Sequence, residues 1–367
     1  MTRVRNLVLG QAPHIYNAQS TSSLTWGMSL ALVPAAAWGI YCYGAAAALA
    51  IASAIGAACI GELAVGGLSR RFTLGNGSAF LTGFLIGMAM PPNVPLYIPV
   101  ASSLFAILIV KAAFGGLGSN WMNPALAGIA FAILDWPKAM NVWILPRDIA
   151  GAVGISGTTP LEFVRQPLAA AATGSNPLDL LKSAGFRFSG LDHRITDFLN
   201  QLLFTRIGSD LPSGYFDLLI GNKSGAPGEL SGILILAASI ILLARSMIRW
   251  EIPAFIVAVF SALTWVFGGL PYGSGFFSGD VLFSLFTGSF LLVTFFMATD
   301  PVTSPSTRIG MFIYGGGIAI ITFLIRSFGS MSEGMAFAVL VMNCLVPLLD
   351  RRRAPLAGGR PLGAKEV

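Results

Sequence analysis

The chain has 367 residues, and its 22 Lys/Arg and 16 Asp/Glu make it only 10% charged, against roughly 25% in soluble domains. With 55% hydrophobic residues and a mean hydropathy of +0.76, an ordinary water-soluble surface is excluded and an integral membrane protein is indicated. The net charge of +6 lies mostly in short basic clusters beside apolar runs, which is a topology signal rather than a nucleic-acid footprint.

Met1 to Ser23 lacks the apolar core of a cleaved leader, so the first apolar run is expected to stay as a membrane anchor. Five candidate spans follow: Leu24 to Gly44, Ala45 to Gly66, Ala79 to Met90, Leu96 to Gly115 and Pro124 to Leu134. The third and fifth fall short of the roughly 20 residues that a straight crossing needs. Asp135 to Glu229 is the one long polar stretch, holding eight Lys/Arg and nine Asp/Glu, so it is expected as a solvated, partly ordered loop. Five further candidates complete the chain: Leu230 to Ala244, Ile252 to Gly268, Val281 to Ala298, Ile309 to Ile325 and Gly334 to Leu349. The expected organisation is residues 1–134 as a first membrane half, 135–229 as an extracytoplasmic loop, 230–350 as a second half and 351–367 as a basic cytoplasmic tail.

Short cytoplasmic loops carry the Lys/Arg excess. Placing the N-terminus inside puts Arg3, Arg5, Arg70, Arg71, Lys111, Arg245, Arg249, Arg308, Arg351, Arg352, Arg353, Arg360 and Lys365 on one side and only Arg326 in the short loops of the other. Both termini are therefore expected in the cytoplasm, with the long loop outside. Met88-Ala89-Met90-Pro91-Pro92 is echoed by Met297-Ala298-Thr299-Asp300-Pro301, each closing an apolar run. With five spans apiece, two halves related by this echo would be inverted, as in transporters whose broken helices meet near the midplane.

Cys42, Cys59 and Cys344 lie in apolar runs without metal-ligand spacing, and only two histidines exist, His14 and His193. No disulfide framework, iron-sulfur site or catalytic triad can be assembled, and no G-x-G-x-x-G dinucleotide unit is present. Five segments stand out instead. Lys111 to Ala125 reads K-A-A-F-G-G-L-G-S-N-W-M-N-P-A, and Ser156 to Leu161 reads S-G-T-T-P-L. Gly221 to Ser231 reads G-N-K-S-G-A-P-G-E-L-S, and Phe295 to Thr307 reads F-F-M-A-T-D-P-V-T-S-P-S-T. The last, Glu333 to Asp350, contains Asn343 and Pro347. Glu229 and Ser231 read as caps before an apolar helix.

Together these segments, from the Pro13-His14 element to Asp350, resemble the D subunit of the Rnf complex, an ion-translocating ferredoxin:NAD oxidoreductase, and its relative, the B subunit of the sodium-translocating NADH:quinone reductase. The short stretch before the first span favours the Rnf protein. The resemblance implies an all-α polytopic fold of about ten transmembrane helices in two inverted five-helix halves, like a urea channel, in the bacterial inner membrane. It implies FMN joined through a phosphoester to the threonine closing an S-G-A-T type motif, here Thr159, set by Ser156, Gly157, Thr158 and Leu161. Thr158 stands where the family has alanine. A dedicated flavin transferase would attach the group, which calls for an accessible hydroxyl in an outward loop.

A second, non-covalent riboflavin is also implied. Gly116, Gly118, Asn120 and Asn123 could allow close backbone approach to it, or the glycines could serve helix packing. Partners implied are the other members of the complex, including a second flavin subunit and iron-sulfur subunits, within the lipid bilayer and without nucleic acid. Ionisable residues inside spans default to functional hypotheses. Glu62 and Asp300 match acids associated with cation entry in the sodium-translocating relatives; alternatively Glu62 pairs with Arg70 or Arg71, and Asp300 caps a broken helix or pairs with Arg308. The competing class is a urea-channel-like solute channel, which would need no flavin.

Overall fold

The computed structural model describes residues 20–70, 72–147, 158–165, 176–183, 185–208, 210–329, 331 and 333–350. Ser156, Gly157, the Pro13-His14 element and the 351–367 tail lie outside them. The described residues form helices without a sheet. The long apolar helices are α1 (Thr21–Tyr43), α2 (Ala45–Ser69), α8 (Glu251–Phe267) and α10 (Arg308–Phe328). Shorter apolar helices are α3 (Ser78–Met88), α4 (Tyr97–Ala112), α5 (Pro124–Asp135), α7 (Gly232–Ala244) and α11 (Met335–Leu349). The short α6 (Pro160–Val164) belongs to the long polar stretch, and α9 (Val281–Phe286) begins a helix that breaks and resumes as Phe290–Leu292 and a π-helical turn, Val293–Met297.

Each of the ten apolar segments read from the sequence is thus helical, though the eighth is in pieces. Large apolar side chains such as Leu30, Ile60, Ile240 and Ile309 are exposed on the helix exteriors. Water does not tolerate so continuous an apolar surface. With four helices long and apolar enough to cross a bilayer, the chain is a multi-pass membrane protein.

Contacts define two ends of the bundle. At the near end, where α1 begins, Thr25 donates to the Asn76 carbonyl, Arg249 donates to the Ser306 carbonyl at 3.0 Å, and Asp350 accepts from the Ser306 backbone N–H at 3.1 Å. At the far end the Arg147 N–H donates to the Cys42 carbonyl at 2.9 Å, and Arg165 reaches the carbonyl of Gly329 at 2.6 Å. A far-end layer from the polar stretch has its own small core of Leu161, Val164, Leu178, Leu181, Phe186, Tyr215 and Leu218.

α2 and α3 run antiparallel in close contact because small residues line their seam. A Cβ on Gly83 would sit 2.6 Å from the Ala54 carbonyl, and one on Gly87 would sit 2.6 Å from the Ile51 Cα. Without a hydrophobic gradient between helices in lipid, this close backbone approach supplies much of the attraction. α3 then stops inside the bundle at Met88, ahead of Pro91 and Pro92. The chain at 221–231 enters to meet it: the Gly228 N–H donates to the Met88 carbonyl at 2.8 Å, while the Tyr43 hydroxyl donates to Gly225 O at 2.8 Å and accepts from Gly225 N at 3.1 Å. Gly228 must be glycine, since a Cβ would fall 2.7 Å from that of Met88.

The α2–α3 seam makes a direct prediction. Gly83→Val should cost about 1–3 kcal/mol by overpacking against backbone, whereas Gly56→Ala on the same α2 helix meets nothing within 4 Å and should be neutral. Thermal unfolding of both variants in detergent checks this; equal midpoints would refute the seam.

Candidate functional site

The break between α9 and Phe290–Leu292 leaves carbonyls and N–H groups that a continuous helix would have paired. Charged side chains pair them. Arg326, near the far end of α10, donates to the carbonyls of Ser284 at 2.9 Å and Thr287 at 3.4 Å, and lies 3.5 Å from Glu333. Glu333 accepts from the Ser289 N–H at 3.2 Å and from its hydroxyl at 2.6 Å. Lys223 donates to the Phe286 carbonyl. Arg326 also lies over the rings of Phe260 and Phe290, with its guanidinium carbon 5.7 and 5.6 Å from the centroids. Gly288 has φ +68, and a Cβ there would collide with the Glu333 carboxylate.

Beside this cluster opens a cavity of about 490 Å³. One wall is apolar, built by Leu126, Ile129 and Ile133 of α5 with Met140, Trp143 and Ala336; the other carries Glu162, Arg165, Glu229, Ser289 and Glu333. Its size falls within the roughly 300–1,000 Å³ of small-molecule sites, and an apolar wall facing a few polar groups is their usual make-up.

α6, which follows the threonine motif, brings Glu162 and, just past its end, Arg165 to this cavity. Thr159 is its N-cap, its hydroxyl oxygen accepting from the Glu162 N–H at 3.2 Å, and Pro160 takes the first helical position, where a missing N–H costs nothing. Thr159 is buried, as is Leu161, which lines a separate cavity of about 50 Å³. Ser224 donates to the Thr158 carbonyl, tying the motif to the 221–231 segment. Among the described residues the Thr158 hydroxyl and Glu162 Oε2 are buried without a hydrogen-bond partner. Buried polar atoms are normally paired, so both point to a group that completes the site. Burial raises the Glu162 carboxyl above the usual range, an effect that Arg165 opposes.

The near end holds the other predicted residues. Glu62 accepts from Lys111 Nζ at 2.8 Å and from the Thr73 hydroxyl at 2.5 Å, so its partner is Lys111 rather than Arg70. Lys111 also donates to the Ser78 hydroxyl at 2.7 Å, and Ser78 donates to Asn76 Oδ1 at 2.7 Å. Gly116 and Gly118 take φ of +93 and +96, conformations that glycine adopts readily, in a mainly exposed turn. Asn123 caps α5, accepting from Ala125 N at 2.9 Å, and its Nδ2 donates to the Met297 carbonyl at 3.0 Å, where the π-helical turn ends. Asp300 accepts from Val302 N at 3.3 Å and from the Thr303 hydroxyl at 3.1 Å, closing the turn that follows the helix; Arg308 lies 3.9 Å from Glu251 instead. Asp300, Asn120, Asn123, Ser78 and Lys111 line a cavity of about 60 Å³, room for a few waters but not for a flavin ring. Among the described residues no group of His, Cys, Asp and Glu could hold a metal, and His193 is exposed. Ser231 is the N-cap of α7, and Glu229 accepts from Ala226 N at 2.8 Å.

Sequence reasoning missed the Arg326–Glu333 cluster and Lys223. One signal was available: Arg326 is the single Lys/Arg that the charge count put in the short loops of the far side, and the structure buries it beside Glu333.

A family model described as the NQR2, RnfD, RnfE family matches residues 8–358. The D subunit of the proton-translocating ferredoxin:NAD(+) oxidoreductase complex of Clostridium ljungdahlii is 34% identical over 352 residues, 96% of each chain. The D subunit of the ion-translocating oxidoreductase complex of Stutzerimonas stutzeri is 36% identical over 350 residues, 92% of each. The D subunit of the Na(+)-translocating ferredoxin:NAD(+) oxidoreductase complex of Acetobacterium woodii is 32% identical over 352 residues, 94% of this chain and 93% of its own.

Because removing one member of a buried pair strands the other, Arg326→Met should destabilise by about 3 kcal/mol, whereas Arg249→Met at an exposed near-end site should cost under about 1 kcal/mol. Unfolding midpoints in detergent check the contrast.

Proposed function

The chain belongs to the NQR2, RnfD, RnfE family, and on that premise we propose that it is the membrane redox subunit of an ion-translocating ferredoxin:NAD oxidoreductase complex, carrying FMN on Thr159 and passing electrons between partner subunits while the complex moves a monovalent cation. The observation that carries the flavin assignment is the placement of α6: Glu162 and Arg165 of the helix that Thr159 caps line a ligand-sized cavity, and Thr158 Oγ1 and Glu162 Oε2 are buried without a partner among the described residues.

When bound, FMN supplies the one- and two-electron chemistry, and the protein sets position, solvent access and potential. Thr159 Oγ1 would carry the phosphate, with the Glu162 N–H that already donates to this oxygen orienting the side chain. Leu126, Ile129, Met140 and Trp143 would supply the apolar surroundings that exclude water from the group. Glu162 Oε2, unpartnered and with its proton favoured by burial, can hold a proton beside the ring against a change of its charge. Arg165 anchors α6 to the carbonyl of Gly329, so the attachment point is fixed to the end of α10. Since Thr159 is buried here, attachment by the transferase requires the motif to lie away from the cavity, and closure follows it.

The orientation follows the basic-residue count, with both termini cytoplasmic in the inner membrane and the cavity end outside. The short α3 and the broken α9 stand third in their respective halves, which favours ten spans in two inverted five-helix halves of the urea-channel kind. A non-covalent riboflavin needs more room than the 60 Å³ near-end cavity gives, so we place it against the exposed turn at 113–119, completed by a neighbouring member of the complex.

Peptide mass spectrometry of the protein from its native host should find FMN, attached with loss of water, on Thr159 within 156–165. The modification should persist in Thr158→Ala and vanish in Thr159→Ala. An unmodified peptide in a host with active flavin transferase would overturn the assignment.

A further inference from the structure

In the far-end layer a continuous helix runs over 190–207, α-helical over Gly190–Leu199, π-helical over Asn200–Phe204 and closed by Thr205–Ile207. Polar groups hold it to the protein. Asp192, fully buried, accepts from the N–H groups of Phe216 at 2.9 Å and Asp217 at 3.2 Å, and Asn200 exchanges two hydrogen bonds with the Leu211 backbone, at 2.8 and 3.1 Å. Its apolar residues are turned away from these contacts: Leu191, Phe198 and Leu202 are 52%, 61% and 45% exposed, and with half-buried Ile195 they recur at spacings of four, three and four, which is one stripe of a helix. A surface helix of a water-soluble layer has the reverse arrangement. We propose that this stripe rests on the bilayer, with Leu191, Phe198 and Leu202 at the acyl-chain boundary and anionic phospholipid headgroups on Arg194 and Arg206.

Three observations carry this. The first is charge. Arg194, four residues before Phe198, and Arg206, four after Leu202, are exposed beside the stripe, whereas the exposed acid of the helix, Asp197, stands in a row with His193 and Gln201 away from it. Arginines at the edge of an apolar stripe lay their stems along the apolar surface and send the guanidinium to phosphate. An apolar stripe edged by arginine, with a polar row behind it, is the make-up of helices that lie in a membrane interface.

The second is depth. The helix is bonded to the start of Tyr215–Ile220, and that short helix packs on the first residues of α7, where a Cβ on Gly232 would sit 2.8 Å from Leu219. Ile233, the next residue, is exposed on the apolar exterior. The helix 190–207 therefore lies one helix layer, roughly 8–10 Å, beyond the start of a span, and the polar zones that widen a ~30 Å hydrocarbon core to about 40–45 Å reach that far. The third is direction. Leu191 and Ile195 each precede a buried residue of the packing side, Asp192 and Thr196, so the stripe stands about 100° round the helix from that side. It is turned sideways from the bundle end rather than straight out, and a sideways face at this depth meets lipid. Resting there, the helix braces the layer whose core joins Tyr215 to Leu161 and Val164 of α6.

This inference goes beyond the redox reading and needs only that the chain spans the membrane. Its test is nitroxide labelling of Leu202→Cys and His193→Cys in the assembled complex, in vesicles of phosphatidylethanolamine and phosphatidylglycerol. Exposed Cys344 and half-buried Cys59 are replaced by alanine, and buried Cys42 stays. For the label at 202, collisions with oxygen, which concentrates in lipid, should exceed those with a water-soluble nickel chelate by about threefold, and for the label at 193 the order should reverse. Free access of the chelate to the label at 202 overturns the proposal. A label at 202 shielded from both reagents overturns it equally, since a neighbouring protein then covers the stripe. Arg194→Gln combined with Arg206→Gln, or vesicles of phosphatidylcholine alone, should raise chelate access at 202 by about threefold. Access that neither change alters overturns the part given to anionic headgroups.

Discussion

Backbone groups that leave a helix inside a membrane must find partners within the protein, because lipid offers none. This chain ends α3 within the bundle, and both breaks and ends the element from Val281 to Met297 there, and each interruption is closed by a named donor or acceptor. Met88 O is met by the Gly228 N–H and Met297 O by Asn123 Nδ2. The gap after α9 is met by Arg326, Glu333 and Lys223. Each of these groups comes from another part of the chain, and the Asn123–Met297 bond joins the two halves.

The same constraint creates the two cavities. Where α3 stops, the 221–231 segment enters, and the space that a continuous helix would have filled becomes part of the far-end cavity, with Ala89 and Glu229 in its wall. Where the π-helical turn stops, Asp300 and the Asn120–Asn123 turn enclose the small near-end cavity. The two cavities, at opposite ends of one bundle, share an element, the broken helix from Val281 to Met297, which touches the first at Ser289 and Val293 and leads to the second at Phe296 and Asp300.

Much of this was legible in the residues. Apolar runs bounded by Gly and Pro gave the apolar helices to within a few positions, though not the break in the eighth or the helices of the polar stretch, because in a membrane protein hydropathy decides the apolar elements. The threonine motif and the two acids were visible as residue types in unusual places. Their partners were not. Glu62 had Arg70 and Arg71 as near neighbours in sequence, yet it pairs with Lys111, 49 residues away, because a helix carries Arg70 past the end of α2 while α4 crosses at the level of Glu62. Arg326 read as a stray loop charge, and only the folded chain shows that it satisfies a helix break. The far-end cavity draws its walls from six separate segments, a property of their packing that no local pattern encodes.

The central claim is that a flavin joined to Thr159 works with its ring in the far-end cavity. Ala336 lies in the cavity's apolar wall, so Ala336→Trp fills it without touching the attachment motif. The measurement is the rate at which the covalent flavin of this chain is reduced in the purified complex by reduced ferredoxin. The account predicts a band that still fluoresces with attached flavin on a denaturing gel, and reduction at least tenfold slower than in the wild type. Reduction at the wild-type rate with tryptophan in place would contradict it, and would put the working flavin elsewhere.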